Sequence, residues 1–447
     1  MTTETIAAIA TAAGRGALGI LRLSGPQAFR IAQAVVGALP PNRQAGLRHF
    51  RDASGAVLDQ GLVLCFAGPA SFTGEDVVEL QGHGGPVLLA ALLATVLEHG
   101  ARIAQPGEFS ERAFLNGRID LVQAEAIADL IDAASVQAVH AAQKTLDGVF
   151  SDRLHRAAAS LTDLRVFVEG ALDFSDEDID WLSAPKLSER LQALETLLLE
   201  TQSQAQQGRR LREGLTVAIV GQPNVGKSTL LNALAGFDAA IVSDQAGTTR
   251  DALREHLVLG GLPLTVIDTA GLRDTDDVVE REGIRRTRLA LEKAELALFV
   301  VDDRLGITPA DEALLQSLPP MRRLVVRNKC DLAGRTPEVF DEGSTRTVRL
   351  AAKSAQGLDL LTAQLQAHAG FASGGEGVFL ARARHLEALA TGLTHLQRAR
   401  TQLATRNHAE IAAEELRLAQ QALGHITGEQ TSDALLGEIF RRFCIGK

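Results

Sequence analysis

Apolar and polar positions along the chain change texture three times. Up to about Arg118, short β-type runs alternate with Gly and Pro. Ile20-Leu21-Arg22-Leu23 and Gly61-Leu62-Val63-Leu64-Cys65-Phe66 read as strands, and Pro86 to His99 as a helix. From Leu121 to Leu211 the chain is Ala/Leu/Gln-rich and helical, broken by the acidic run Asp173 to Asp180 and by Pro185. That run lacks the glycine and terminal glutamate of an EF-hand loop and reads as a solvated turn.

At Leu215 the pattern switches to strand. Val217-Ala218-Ile219-Val220 is followed by a Gly-rich turn and a helix, and further apolar runs lie at Leu264 to Ile267, Leu296 to Val301 and Leu324 to Val326. Strands alternating with helices predict a parallel α/β sheet. Gly370 to Gly377 closes this unit. Beyond Phe379 the apolar residues Leu416, Leu423, Leu435, Ile439 and Phe443 recur at helical spacing. An α/β unit is thus inserted between two helical segments able to pack as one domain.

The turn after Val220 reads Gly221-Gln222-Pro223-Asn224-Val225-Gly226-Lys227-Ser228-Thr229 and fits the P-loop pattern in the required place, between strand and helix. Its N–H groups and the helix N-terminus cradle phosphate oxygens; Lys227 would meet the β- and γ-phosphates and Ser228 would ligate Mg²⁺. Asp268-Thr269-Ala270-Gly271 follows a strand, which puts a carboxylate near the metal and a glycine N–H near the γ-phosphate. Asn328-Lys329-Cys330-Asp331 follows another, and Asp331 can accept from both guanine N1–H and the 2-amino group. Adenine lacks that donor pair and would leave the acceptor unpaired. Gly247-Thr248-Thr249 lies between these motifs, where a switch loop would hold Mg²⁺ through a threonine hydroxyl. These motifs in this order indicate a GTP-hydrolysing protein. Leu272 stands where many GTPases carry a water-orienting glutamine, so hydrolysis needs another polar group or an added cation. Carboxylates between Arg273 and Glu282, and the Asn224 amide oxygen as a ligand for a monovalent cation, are candidates.

Composition narrows the setting. Across 447 residues a net charge of -10 argues against a generic nucleic-acid coat, leaving local patches such as Arg209/Arg210/Arg212 or Arg441/Arg442 for any RNA contact. With one Trp and no Tyr, base stacking on aromatic platforms is not expected. Cys65, Cys330 and Cys444 form no CxxC pair and suit a reducing compartment. Neither a signal-like N-terminus nor a membrane-length apolar stretch is present, so a cytoplasmic protein is expected.

Beyond the nucleotide motifs, Gly74-Glu75-Asp76, Gly82-His83-Gly84-Gly85-Pro86, Pro106-Gly107-Glu108-Phe109-Ser110-Glu111-Arg112-Ala113-Phe114-Leu115-Asn116, the run Asp120 to Ile131 and the terminal Phe443-Cys444-Ile445-Gly446-Lys447 stand out. With them the whole chain resembles the bacterial tRNA-modification GTPases of the MnmE/TrmE family. The resemblance implies a multidomain α+β and α/β fold. Its parts would be a folate-binding, dimerising N-terminal domain (1–118), a helical-bundle domain in two segments (119–213 and 375–447) and an inserted Ras-like G domain (214–374). It also implies an FAD-dependent partner of the MnmG/GidA family, tRNA as substrate, and a carboxymethylaminomethyl-type group placed on C5 of the wobble uridine. The one-carbon unit would come from a tetrahydrofolate derivative.

Carried over by motif, Arg22, Glu79, Arg118 and Lys447 resemble the folate-contacting positions; the family often has lysine at 118, and arginine keeps the charge but not the geometry. In Ser243-Asp244-Gln245-Ala246-Gly247-Thr248-Thr249, the positions Ser243, Gln245 and Thr248 match, with Asn224, the family's potassium loop. Thr249 and Ser228 match its Mg²⁺ ligands, and Glu280 its water-positioning glutamate. The guanine-supporting Ser-Ala-Lys motif reads Ala351-Ala352-Lys353, which loses a hydroxyl from a segment acting mainly through its backbone. Cys444 is either a catalytic thiol or a small buried residue; His83 either serves the folate reaction or stabilises its turn. A ribosome-assembly or translation-type GTPase switch would share the nucleotide motifs but not the N-terminal and C-terminal signatures. A scaffold that leaves the chemistry to its partner is a second alternative.

Overall fold

Leu21 and Leu23 point into a buried face while Arg22, between them, points to the other, as a strand requires. That strand belongs to the first of two sheets in the computed structural model, which describes residues 4–173, 185–237, 254–268, 291–343, 345–371, 378–404, 408–429 and 433–446. The chain divides into two compact units, one of residues 1–128, 154–183 and 398–447, the other of 129–153 and 184–397.

In the first unit, β1 (Ile6–Ile9), β2 (Gly16–Ser24), β3 (Gly46–Arg51), β4 (Val57–Phe66), β5 (Val77–Gly84) and β6 (Arg102–Ile103) form a six-stranded sheet of order β3-β4-β5-β2-β1-β6. Pairing is antiparallel except between β1 and β6. Helices α1 (Ala28–Val36) and α2 (Pro86–Glu98) give this sheet its core, where Ile31, Val35, Leu92 and Val96 meet Leu21, Leu23, Val63 and Leu80. Arg22 and Glu79 are left on the opposite face, and α3 (Glu108–Leu115) follows β6.

Four helices come next: α4 (Leu121–Ile131), α5 (Val136–Leu146), α6 (Val149–Asp173) and α7 (Pro185–Glu213). The rest of the acidic run, residues 174–180, lies outside the described residues.

The second unit contains β7 (Leu215–Val220), α8 (Lys227–Gly236), β8 (Arg254–Leu259), β9 (Leu262–Asp268), β10 (Leu296–Asp302), α9 (Pro309–Ser317), β11 (Arg322–Asn328), β12 (Glu338–Glu342), β13 (Thr345–Arg349) and α10 (Leu358–Ala369). The sheet runs β12-β13-β11-β10-β7-β9-β8. Its five inner strands are parallel, and every position of β10 is buried, as a strand covered on both faces demands. The edges depart from the expected parallel sheet: β8 and β12 are antiparallel to their neighbours. Between β8 and β9 the cause is Gly260-Gly261, both left-handed, which closes a tight hairpin turn.

Helices α11 (Ala383–Leu403), α12 (Ala409–Thr427) and α13 (Asp433–Arg441) complete the chain. In the first unit Ile439, Phe440 and Phe443 pack on Leu121 and Ala124, which seats the end of the chain beside α3 and α4. Among the described residues no helix is long and apolar enough to cross a membrane.

Candidate functional site

The nucleotide loop begins where central strand β7 ends. A Cβ on Gly221 would lie 2.3 Å from the Val300 carbonyl, so only glycine lets the loop turn this closely over β10. Val225 and Leu230 are buried and anchor the loop and α8, while Asn224, Ser228 and Thr229 are exposed. Gly226 caps α8 with φ of 98°, and Asn224 is left-handed with φ of 62°. Lys227, first in α8, donates from Nζ to the Gly221 (2.8 Å) and Gln222 (3.0 Å) carbonyls and so spans the loop.

The base-reading segment is tied to this loop directly. Asn328, 2% exposed at the end of β11, donates from Nδ2 to the Val225 carbonyl at 2.9 Å. Its Oδ1 accepts from the N–H groups of Lys329 (2.8 Å) and Ala352 (3.0 Å). A Cβ on Gly226 would sit 2.3 Å from Asn328 Nδ2, so the glycine is what admits this amide. Lys329, left-handed with φ of 66°, donates from Nζ to the Asn224 carbonyl (2.6 Å) and Asp302 Oδ2 (2.9 Å). Side-chain bonds from Arg304, and then Lys329, hold the Asp302 carboxyl far below the usual carboxylate range. Asp331 is exposed on the turn after Lys329, and Lys353 is exposed on the short 3-10 turn Ala352–Ser354. Among the described residues, Asn224, Lys329 and Ala355 are three of the four non-glycine residues with positive φ, so strained backbone concentrates around the nucleotide motifs.

The structure therefore brings together Asn224, Val225, Gly226, Lys227, Asn328, Lys329 and Ala352, with Ser228, Thr229, Asp331, Ala351 and Lys353 on the same loops. Asp268 ends β9, its backbone paired with Ile219 of β7. Ser243 to Thr249, Thr269, Ala270, Gly271 and Glu280 lie outside the described residues.

A second constellation lies on the open face of the first sheet. Arg22 and Glu79 are directly opposed on β2 and β5, and Arg22 Nε and Nη2 donate to Glu79 Oε1 at 3.0 and 2.9 Å. Gln81 Nε2 donates to the other Glu79 oxygen at 3.0 Å. Arg22 Nη1 also donates to the Gly446 carbonyl at 3.4 Å, and its guanidinium lies 5.7 Å from the Phe109 ring centre. Farther along the tail, the Gly107 N–H donates to the Cys444 carbonyl at 3.3 Å. Gly446 is left-handed, and a Cβ there would lie 2.6 Å from the Ile9 carbonyl. The tail is thus held by its backbone, while Cys444 itself is exposed, against the reading of it as a small buried residue. Arg118 is exposed beside Gly74, and no hydrogen bond joins it to Arg22 or Glu79 among the described residues. Lys447 lies outside the described residues.

His83 fastens the end of β5 to β4: its N–H and Nδ1 lie 2.8 Å from the two oxygens of Asp59. Sequence reasoning missed the network beneath this face. Arg112, 4% exposed, donates to Glu75 (2.9 Å) and Glu108 (2.9 Å), and Glu75 Oε2 accepts from Ser24 at 2.8 Å. Two of the sequence signatures, Gly74-Glu75-Asp76 and Pro106 to Asn116, meet in that network. The four-residue spacing of Glu108 and Arg112 was the available signal, but on a helix it reads as an ordinary surface pair.

Family models described as GTP-binding protein TrmE N-terminus and MnmE helical domain match residues 5–118 and 121–444. The tRNA modification GTPase MnmE of Sodalis glossinidius (strain morsitans) is 53% identical over 100% of this chain and 99% of its own length. The protein of that name from Thiobacillus denitrificans (strain ATCC 25259 / T1) is 53% identical over 99% and 98%. The solved structure of an Aquifex aeolicus Era variant bound to GDP and AlF4⁻ is 27% identical over 40% of this chain and 66% of its own. Its TM-score of 0.27 is too low to bear on the fold.

Proposed function

The chain belongs to the MnmE family of tRNA modification GTPases, and on that premise we propose that it modifies C5 of the wobble uridine of certain tRNAs. It hydrolyses GTP to GDP and phosphate in the service of tRNA modification. The finer reading is a carboxymethylaminomethyl-type group, built with an FAD-dependent MnmG/GidA-type partner from a folate-derived one-carbon unit, by a homodimer joined through residues 1–118. Residues 119–213 and 375–447 form the helical domain, and 214–374 the G domain. The work is placed in the cytoplasm.

The observation that carries this reading is the tail. Its backbone ends on Arg22, which is already paired with Glu79, so three of the four proposed folate-binding segments converge on the sheet's open face. Cationic and carboxylate groups held there suit a pterin's amide-like edge and a glutamyl carboxylate. Arg22 and Glu79 would hold the folate, with Arg118 and Lys447 at its charged tail or carbonyls. The folate would supply the carbon, and Cys444 projects its thiol beside that face.

For hydrolysis, the exposed Ser228 at the start of α8 suits Mg²⁺, with Thr249 as second protein ligand. Lys227 binds and orients the phosphates. Glu280 positions the attacking water in place of the absent glutamine. Asn224, held left-handed at the loop's crest, would ligate K⁺ with Ser243, Gln245 and Thr248, adding positive charge where the phosphates carry negative charge.

Profiling wobble nucleosides in tRNA from a deletion strain tests the reading. The C5 group should disappear and return with the wild-type gene. An unchanged profile with a ribosome-assembly defect would support the switch-type alternative instead.

A further inference from the structure

A buried carboxylate next to the base-reading loops has no part in the hydrolysis just described. Asp303, the residue after β10, has a side chain with 0% exposure. Three arginines converge on it: Arg349 Nε at 3.2 Å, Arg335 Nη1 at 3.3 Å and Arg327 Nη1 at 3.5 Å. Two more carboxylates balance the cluster, Glu342 on Arg327 and Glu338 on Arg349. Three acids thus face three arginines. A buried charge set this complete is costly to disturb, because removing one member strands the others.

What distinguishes the cluster is where its arginines sit. Arg327 immediately precedes Asn328, the residue that bonds the phosphate loop and Ala352. Arg335 closes the turn that carries Asp331, its N–H donating to the Cys330 carbonyl at 3.0 Å. Arg349 ends β13 one residue before Leu350, whose carbonyl accepts from the Cys330 N–H at 3.2 Å, and shortly before Ala351-Ala352-Lys353. The Asp303 N–H itself donates to the Asn328 carbonyl at 2.8 Å. Each base-reading segment therefore has one arginine at its edge, and all three arginines share one carboxylate.

We propose that Asp303 is a positioning residue for guanine recognition, holding the Asn328, Asp331 and Ala352 segments in register beneath the base through Arg327, Arg335 and Arg349. It touches neither nucleotide nor metal and acts only through the three arginines. The inference rests on the assignment of Asp331 as the guanine acceptor.

Binding of fluorescent GDP and GTP analogues, with steady-state GTPase kinetics, tests it on the full chain carrying Asp303→Asn, Arg335→Ala, or both. Each single variant should weaken both nucleotides by about tenfold and raise KM in parallel, with kcat at saturating GTP held within about twofold. The double variant should be no weaker than the worse single one, since both break the same link. Arg335→Lys should recover part of the affinity. Because Arg335 is half exposed, its replacement keeps the test open if Asp303→Asn folds poorly. A lower melting temperature with unchanged affinity would make the cluster merely structural, and a fall in kcat without a KM change would equally overturn the proposal. Asp331→Asn, assayed with xanthosine triphosphate, separates the two readings: no gain of xanthine preference defeats the Asp331 assignment, whatever the Asp303 variants do.

Discussion

Lys329 Nζ lies 2.6 Å from the carbonyl of Asn224, and both residues are left-handed. One end of the nucleotide site is thereby bolted to the other: the lysine of the base motif grips the crest of the phosphate loop, and Asn328 grips its next residue, Val225. The contacts explain why the loops need such particular residues, and they yield sharp expectations.

Gly226→Ala should abolish nucleotide binding while leaving the fold intact. The added Cβ would lie 2.3 Å from Asn328 Nδ2, at a φ of 98° that alanine adopts only with strain. A cost of about 1–3 kcal/mol falls on the one junction between base and phosphate loops. Circular dichroism and GDP titration check this, and normal affinity in a folded variant would show that the junction tolerates separation.

Turnover should be faster in potassium than in sodium at equal ionic strength, and Asn224→Ala should erase the difference. Its left-handed backbone presents this residue at the crest of the loop, and no arginine finger is evident in the sequence. Equal rates in the two salts would remove the cation from the mechanism.

The strongly determined parts of this site were legible in the sequence because phosphate, metal and guanine each admit few residue types. The P-loop and Asn-Lys-Cys-Asp segments lie where strand and helix patterning put them. Edge strands were not legible. Glu338–Glu342 and Thr345–Arg349 expose much of their length, so no run of apolar residues marks them, and the β8–β9 hairpin hangs on two glycines. Buried ion networks were harder still. Arg112 and Asp303 look like surface charges until chain segments far apart in sequence close over them.

Acid should selectively weaken the first unit through Glu108. Burial pushes this carboxyl up, but bonds from Arg102, the Gln105 N–H and Arg112 together hold it below its ordinary value. A depressed carboxylate gives its full stabilisation above the unfolded value of about 4.3 and loses it as pH falls through the folded value. Wild type should therefore melt higher than Glu108→Gln near neutrality, by a margin of about 2 kcal/mol. The margin should shrink as pH drops below about 4. Melting curves across pH test this, and a constant margin would mean that the charge is not what Glu108 contributes.

The C-terminal tail offers the clearest separation of hydrolysis from modification. Chain ends usually fray, yet here the Cys444 carbonyl accepts from Gly107 and the Gly446 carbonyl from Arg22, with Gly446 tucked too tightly against Ile9 for any side chain. These contacts all lie in the first unit, whereas the P-loop belongs to the second. Truncation after Phe443 removes them but keeps the buried ring that anchors α13. The truncated protein should retain potassium-stimulated GTPase activity and its melting temperature. It should bind 5-formyltetrahydrofolate about tenfold or more weakly, since Arg22 loses the Gly446 carbonyl and Lys447 is gone. Reconstituted with the FAD partner, it should leave the wobble uridine unmodified. Cys444→Ser isolates the thiol: full folate binding with no modification would assign it chemistry, and full activity would reduce it to a spacer. Normal modification by the truncated chain would defeat the role given to the tail, because nothing else in these contacts links the chain's end to the Arg22–Glu79 pair.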